Sequence, residues 1–84
     1  MRRRRALWRA THRGSKEMDY LLGRFTEQAI DSMNADDIAV LERLIDLPDP
    51  QIALAVYEGD TLGARDLDAM VVHIRRLHGF PEAS

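Results

Sequence analysis

The sequence contains no cysteine, only three prolines and only five aromatic residues among its 84 positions. The lack of cysteine excludes disulfide bonds, thiolate metal sites and cysteine nucleophiles, and it is compatible with a reducing compartment. A domain of this size buries only about 60% of the surface that its unfolded chain exposes, so we expect marginal stability. A small chain without crosslinks favours an α-helical fold, and we expect residues 1–84 to form one domain.

Long apolar runs are also missing. Charged residues interrupt every apolar stretch before it reaches the roughly 18 residues of a membrane span, so we expect a soluble protein without membrane insertion. Arg2 to Arg5 are followed by Ala6-Leu7-Trp8-Arg9. This stretch lacks the apolar region of about 7–15 residues that an export signal requires. We therefore expect a cytoplasmic protein without an export signal.

Acidic residues are absent from the start of the chain. Residues 1–16 contain seven basic side chains and no acidic one, whereas residues 17–84 contain five basic and fourteen acidic side chains. Such a basic cluster can bind nucleic-acid phosphates or the acidic surface of a protein partner. It can equally be a solvated terminus, and we predict a basic tail at residues 1–4.

Apolar residues recur at helical spacing along most of the chain, and no window alternates as a strand would. Gly14 or Ser15 and Asn34 are expected N-caps, and Asp49 is expected to cap a helix that has Pro50 at its first position. Gly59 is expected to end that helix. The predicted fold is all-α, a compact bundle of five short helices near residues 5–12, 15–30, 35–46, 50–58 and 66–78, with a flexible tail at 80–84.

Candidate catalytic groups are few. His73 and His78 are five residues apart on one predicted helix, which turns them to different faces and argues against a zinc site. Acidic residues fall in the first turns of helices, where they act as caps, and no phosphate-binding loop or nucleophile motif occurs. We therefore predict that the chain is not an enzyme and has no catalytic residue and no metal site.

The stretch from Arg13 to Asp19 changes from basic to acidic across a glycine. Oppositely charged residues beside a glycine are typical of a docking surface, although Glu17 also suits a helix start, where negative charge is favourable. Trp8 lies close in sequence to His12 and Arg13, and tryptophan and arginine are enriched at binding hot spots. Trp8 can also pack the first helix onto the bundle, and both roles remain open at this point.

These residues resemble a known family. Trp8, the sequence Arg13-Gly14-x-x-Glu17-x-Asp19 and the Asp49-Pro50 helix start are similar to those of the succinate dehydrogenase flavinylation factors, small five-helix proteins with an Arg-Gly-x-x-Glu motif. The resemblance covers roughly residues 5–79. Two departures are His12, where many members have a basic residue, and the absence of a tryptophan from the fourth helix, where Tyr57 is the aromatic residue.

The resemblance implies an assembly chaperone. Such a protein binds the flavoprotein subunit of succinate dehydrogenase, and often of fumarate reductase, and promotes covalent attachment of FAD to a histidine of that subunit. FAD would then be attached to the partner and not held stably by this chain. The implied partner-binding residues are Trp8, His12, Arg13, Gly14, Glu17 and Asp19, with Arg13 donating hydrogen bonds to the partner and Glu17 accepting one. The helper would act by positioning the reacting groups and stabilising charge on the flavin.

A second interpretation is a small, basic-tailed helical module that binds nucleic acid. It would use Arg2 to Arg5, Arg9, Arg13 and Lys16 on phosphates, and its affinity would fall steeply with salt. The helix at 66–78 would be the recognition helix, but it begins with Asp66 and Asp68, which a phosphate backbone repels. An acidic adaptor protein is a third interpretation that no particular residue favours.

Overall fold

Five helices make up the part of the chain that the computed structural model describes, residues 1–81. We name them α1 (Arg2–Thr11), α2 (residues 16–32), α3 (Ala35–Ile45), α4 (Asp49–Glu58) and α5 (Arg65–Leu77). These residues include no β-strand. The predicted all-α fold of five short helices is confirmed. Over the same residues, no helix has both the length and the apolar character needed to cross a membrane.

The core is built by large aliphatic side chains from α2 to α5. Leu22, Leu41, Leu44, Ile52 and Ile74 are fully buried. Each such side chain contributes about 1.5–3 kcal/mol through removal of its apolar surface from water. Helix α1 contributes only small buried residues, since Ala6 and Ala10 face the core. Its backbone therefore lies close to the other helices.

The helix boundaries follow the expected caps with one exception. The Ser15 side chain accepts from the Met18 amide, and Asn34 forms a capping box with Asp37. Gly59 ends α4 with a φ of 77°. The prediction for Asp49 was wrong, because Pro48 is the N-cap of α4 and Asp49 is already the first helical residue.

Helix α2 is not a regular α-helix. It consists of an α-helical turn (Lys16–Met18), a π-helical segment (Asp19–Gly23), a second α-helical segment (Arg24–Ala29) and a 3₁₀ turn (Ile30–Ser32). A π turn accommodates one residue more than an α turn. Regular α-helical spacing along the apolar face that includes Met18, Leu22 and Phe25 predicts that Ala29 is buried. In the structure Ile30 is buried instead, and Ala29 is half-buried.

The predicted basic tail at residues 1–4 is instead the first turn of α1. Arg2 forms an ion pair with Glu42 of α3 at 2.6 Å, and the guanidinium of Arg3 donates to the main-chain carbonyls of Ile30 and Met33 at the end of α2. The hydrogen bond from Arg2 lowers the pKa of Glu42 below its ordinary value. A helix end exposes unpaired carbonyls, which a cation stabilises, so these arginines order the terminus.

Residues 79–81 pack against the bundle. The Phe80 ring contacts the Tyr57 ring edge-to-face, with centroids 5.3 Å apart. The buried guanidinium of Arg75 donates to the carbonyl of Val56 and, at 2.5 Å, to that of Pro81. Phe80 and Pro81, the first two residues of the predicted flexible tail at 80–84, thus contact the bundle. Its remaining part, 82–84, lies outside the described residues.

Gly23 of α2 packs directly against the last turn of α1. A Cβ atom added to Gly23 would lie 3.0 Å from Cγ2 of Thr11, 3.3 Å from the carbonyl oxygen of Ala10 and 3.4 Å from Cα of Thr11. Two of these three atoms belong to the backbone of α1. Relief of the contact therefore requires a shift of the helix and cannot come from a rotamer change alone.

Replacement of Gly23 by alanine is expected to lower the free energy of unfolding by about 1 kcal/mol. Overpacking costs roughly 1–3 kcal/mol, and the better helix propensity of alanine returns only about 1 kcal/mol. Urea denaturation of Gly23→Ala measures the loss. Thr11→Ser removes the nearest methyl group, so the double variant should regain part of the stability relative to Thr11→Ser alone. A stabilised single variant would contradict this packing.

Candidate functional site

The loop between α1 and α2 contains the sequence motif and is tightly defined. Gly14 has a φ of 98°, in the left-handed region that side chains rarely adopt. Its missing Cβ would meet no atom within 4 Å, so conformation rather than crowding requires glycine here. Ser15 then starts α2 by capping the Met18 amide at 3.2 Å. The chain thus turns from α1 into α2 within four residues, 12–15.

Arg13 lies under this loop rather than on its surface. Its side chain is only 10% exposed. Nε donates to Oδ1 of Asp49 at 2.7 Å, Nη1 to the carbonyl of Ile45 at 2.7 Å and Nη2 to the carbonyl of Leu47 at 2.9 Å. The expectation that Arg13 donates a fork of hydrogen bonds to a partner is at odds with this geometry, because the planar fork is already engaged inside the chain.

Asp19 supports the same loop from the other side. Its Oδ1 accepts a hydrogen bond from the main-chain amide of Arg13 at 2.7 Å. The side chain is partly buried at the start of the π-helical segment. The structure therefore joins Arg13 and Asp19, two of the predicted residues, by an internal contact that fixes the backbone of the turn.

Glu17 points outward from the first turn of α2. It is exposed and makes no hydrogen bond or ion pair with any residue of the described chain. Its charge acts on Tyr57 of α4: burial, and then the negative charge of Glu17, raise the pKa of the Tyr57 phenol. Glu17 is thus an available acceptor whose charge also acts on an aromatic residue of a second helix.

Trp8 and His12 form an exposed stacked pair on the last turn of α1. Their ring centroids are 4.4 Å apart and the planes differ by 10°. Nδ1 of His12 lies 2.8 Å from the carbonyl of Trp8, so this nitrogen carries the hydrogen that it donates. Trp8 remains 61% exposed. The interpretation that Trp8 packs α1 onto the bundle is therefore wrong, and the indole is available at the surface.

The six predicted residues separate into two groups. Trp8, His12, Gly14 and Glu17 are exposed, and we call them the loop surface. Arg13 and Asp19 lie beneath it and hold the turn.

The contact between Arg13 and Asp49 was not predicted from the sequence, which indicated Asp49 only as a helix cap. The exposure of Leu54 and Tyr57 on α4, 52% and 39%, was not predicted either. The available signal was the run Ile52-Ala53-Leu54-Ala55-Val56-Tyr57, which is apolar on every face and so cannot bury all its side chains in a surface helix.

Much of the basic cluster at residues 1–16 is engaged within the chain. Arg2 pairs with Glu42, Arg9 with Asp46 and Arg13 with Asp49, and Arg3 donates to main-chain carbonyls. Four of the seven cations of this segment thus have internal partners. The nucleic-acid-binding interpretation is not supported.

The histidines are dispersed. His78 ends α5 and its Nε2 donates to the carbonyl of Leu21 at 2.9 Å, with its ring against Tyr20. His12 belongs to the loop surface, and His73 is exposed on α5. Within residues 1–81, no cluster of three or more histidine, aspartate or glutamate side chains could hold a metal ion.

Comparison with known proteins identifies the family. A family model described as flavinator of succinate dehydrogenase matches residues 4–78, which is nearly the whole chain. The chain belongs to this family. The matched range includes all five helices apart from the first two residues of α1, so the similarity to the flavinator family extends over the helical bundle. The family resemblance inferred from the sequence is confirmed.

A curated relative of this chain is the FAD assembly factor SdhE of Acetobacter pasteurianus. It is 43% identical to this chain over 51 residues, which is 61% of this chain and 47% of that protein. The chain thus aligns with about half the length of the curated relative that it matches. No solved structure matches the chain.

Proposed function

We propose that this chain is an assembly factor that binds the flavoprotein subunit of succinate dehydrogenase and promotes the covalent attachment of FAD to a histidine of that subunit. Membership of the flavinator family and the similarity to the FAD assembly factor SdhE support this proposal. The observation that carries it is the exposed loop surface, in which Glu17 has no internal hydrogen-bond partner. An exposed carboxylate without an internal partner is available to accept a hydrogen bond from a docked protein.

We further propose that the chain contributes position rather than chemistry. The turn between α1 and α2 is held by Arg13, Asp19 and the Ser15 cap, so the groups of the loop surface meet the partner in a defined arrangement. A docked helper of this kind can hold the partner where its flavin and histidine are aligned, and alignment alone can account for large rate effects. The chain would then be no enzyme, and FAD would remain with the partner.

The same proposal covers partner range and location. The fumarate reductase flavoprotein is the second proposed partner, because the reaction on it would be the same covalent attachment. We propose the cytoplasm as the place of action, in keeping with the absence of cysteine.

Covalent flavin on the partner is the measurement that tests this function. The flavoprotein subunit is expressed with and without this chain in a host that lacks its own flavinylation factor, and the denatured protein is scored by in-gel flavin fluorescence. We expect covalent flavin to rise strongly when the chain is present. Equal fluorescence in the two samples, with the chain folded and expressed, would contradict the proposal. The fumarate reductase flavoprotein is assayed in parallel.

A further inference from the structure

Arg13 joins three segments that are distant in the sequence. Its guanidinium contacts the last turn of α3 through the carbonyl of Ile45, the α3–α4 linker through the carbonyl of Leu47 and the first residue of α4 through Asp49. Carbonyls at a helix C-terminus lack intrahelical donors and carry partial negative charge. The guanidinium thus satisfies the end of one helix while it pairs with a carboxylate at the start of the next.

Asp49 is the one carboxylate that contacts this guanidinium in the described chain. Its Oδ1 lies 2.7 Å from Nε and 2.6 Å from Nη2 of Arg13. A carboxylate oxygen that lies between two N–H groups on one edge of a guanidinium restricts its orientation more than a contact with one N–H group does. Asp49 therefore sets the orientation of the Arg13 side chain, and the two carbonyls accept hydrogen bonds from its Nη1 and Nη2.

A short series of backbone contacts links Arg13 to the helix turn that carries Glu17. The Arg13 amide donates to Asp19, Gly14 adopts its left-handed conformation, and Ser15 caps the Met18 amide. Only residues 14–16 separate Arg13 from Glu17. A displacement of the buried arginine side chain would move the turn and, with it, the carboxylate of Glu17.

We propose that Asp49, a residue outside the motif, is a positioning residue for partner docking: it anchors Arg13 and thereby holds the turn that presents Glu17. This inference rests on the proposed function and extends it from the loop surface to the α3–α4 junction. Of the two charged residues of the motif, Arg13 then holds the turn from beneath, and Glu17 contacts the partner at the surface.

A matched control exists in the same part of the molecule. Arg9 of α1 pairs with Asp46 at the end of α3, three positions before Asp49. This pair also bridges the N-terminal region to the α3 end, but both side chains are exposed and the contact does not reach the turn. Asp46→Asn therefore removes a neighbouring ion pair without disturbing the anchor of Arg13.

The experiment is a double-variant cycle on the affinity for the succinate dehydrogenase flavoprotein. Dissociation constants are measured by titration calorimetry for the wild type, Asp49→Asn, Glu17→Gln and the double variant, at a temperature where circular dichroism shows each chain folded. We expect Asp49→Asn to weaken binding about tenfold and Asp46→Asn to have little effect. In the Glu17→Gln background, Asp49→Asn should cost about twofold or less, because the charge that it positions is already removed.

Amide hydrogen exchange gives a second readout that needs no partner. Asp49→Asn should accelerate exchange at the Arg13 and Met18 amides, which donate within the turn, whereas Asp46→Asn should leave both unchanged.

The outcomes are distinguishable. A lowered melting temperature of Asp49→Asn with unchanged affinity would mean that Asp49 has only a structural role, and it would overturn the inference. The inference would also be overturned if the fold-changes in dissociation constant of Asp49→Asn and Glu17→Gln simply multiply in the double variant. Unchanged exchange at both amides would overturn the transmission step. If the wild-type chain fails to bind the flavoprotein, the proposed function fails and the inference with it, whatever the exchange data show about the turn.

Discussion

Replacement of Glu17 by glutamine is expected to abolish most flavinylation of the partner while the fold survives. Glu17 is exposed and makes no ion pair in the described chain, so the folded state loses only its favourable charge in the first turn of α2, about 0.3–1 kcal/mol. Loss of the negative charge, by contrast, leaves a cation of the partner without its counter-charge in the docked complex, which typically costs about 2–5 kcal/mol of affinity. In-gel flavin fluorescence and urea denaturation measure the two effects.

Asp36 provides the control for this prediction. It is an exposed acidic residue in the first turn of α3, as Glu17 is in α2, but it lies outside the loop surface. Asp36→Asn should match Glu17→Gln in stability and retain wild-type flavinylation. If the two variants behave alike in both assays, Glu17 is only a helix-start residue.

The pKa of Tyr57 reports separately whether Glu17 occupies its observed position. The negative charge of Glu17 disfavours the phenolate and so contributes to the raised pKa of Tyr57, after the larger effect of burial. Glu17→Gln should therefore lower this pKa toward its ordinary value. Titration by ultraviolet absorbance follows the phenol, and a Tyr20→Phe background removes the other tyrosine. An unchanged titration would mean that Glu17 is directed elsewhere.

Replacement of Arg13 by alanine is expected to destabilise the fold by about 3 kcal/mol, the lower end of the range for breaking a buried ion pair, because Asp49 keeps 37% of its side-chain surface. The variant would leave the carboxylate of Asp49 and two main-chain carbonyls without their donor. Folded domains of this size have only about 4–13 kcal/mol of stability, so a large part would be lost.

Arg13→Lys should recover roughly half of this loss. Lysine restores the charge, but its single ammonium group cannot reach three acceptors with the geometry of the guanidinium fork. The control is Arg9→Ala, which breaks an exposed pair with Asp46 and should cost less than about 1 kcal/mol. Urea denaturation at neutral pH compares the three variants. Equal losses for Arg13→Ala and Arg9→Ala would contradict the buried anchor.

The parts of the fold that local chemistry determines were predictable from the sequence. Asn34, Ser15 and Gly59 each act through their own side chain or conformation and through neighbours within four residues, and their boundaries were correct. The π-helical segment was not predictable in this way. Its extra residue changes which of Ala29 and Ile30 faces the core, and that choice depends on the helices packed around α2.

The residues of the candidate site were predicted from the sequence, but which of them are buried was not. The motif residues were identified, yet a sequence pattern does not tell whether an arginine points to a partner or to the carbonyls of another helix. The partners of Arg13 lie 32–36 positions further along the chain, and the packing of α1 against α3 brings them to it. The same lack of long-range information led to the predicted tail at residues 1–4, because the acceptors of Arg3 lie at the end of α2.

The stacked pair of Trp8 and His12 gives the protein a built-in optical reporter. Trp8 is the only tryptophan of the chain, and it lies on the loop surface with most of its ring exposed to water. Its emission therefore comes from a single environment, free of background from the core. A flavin that approaches this face can accept the excitation energy of the indole, so quenching of the donor would follow complex formation in real time without any attached dye.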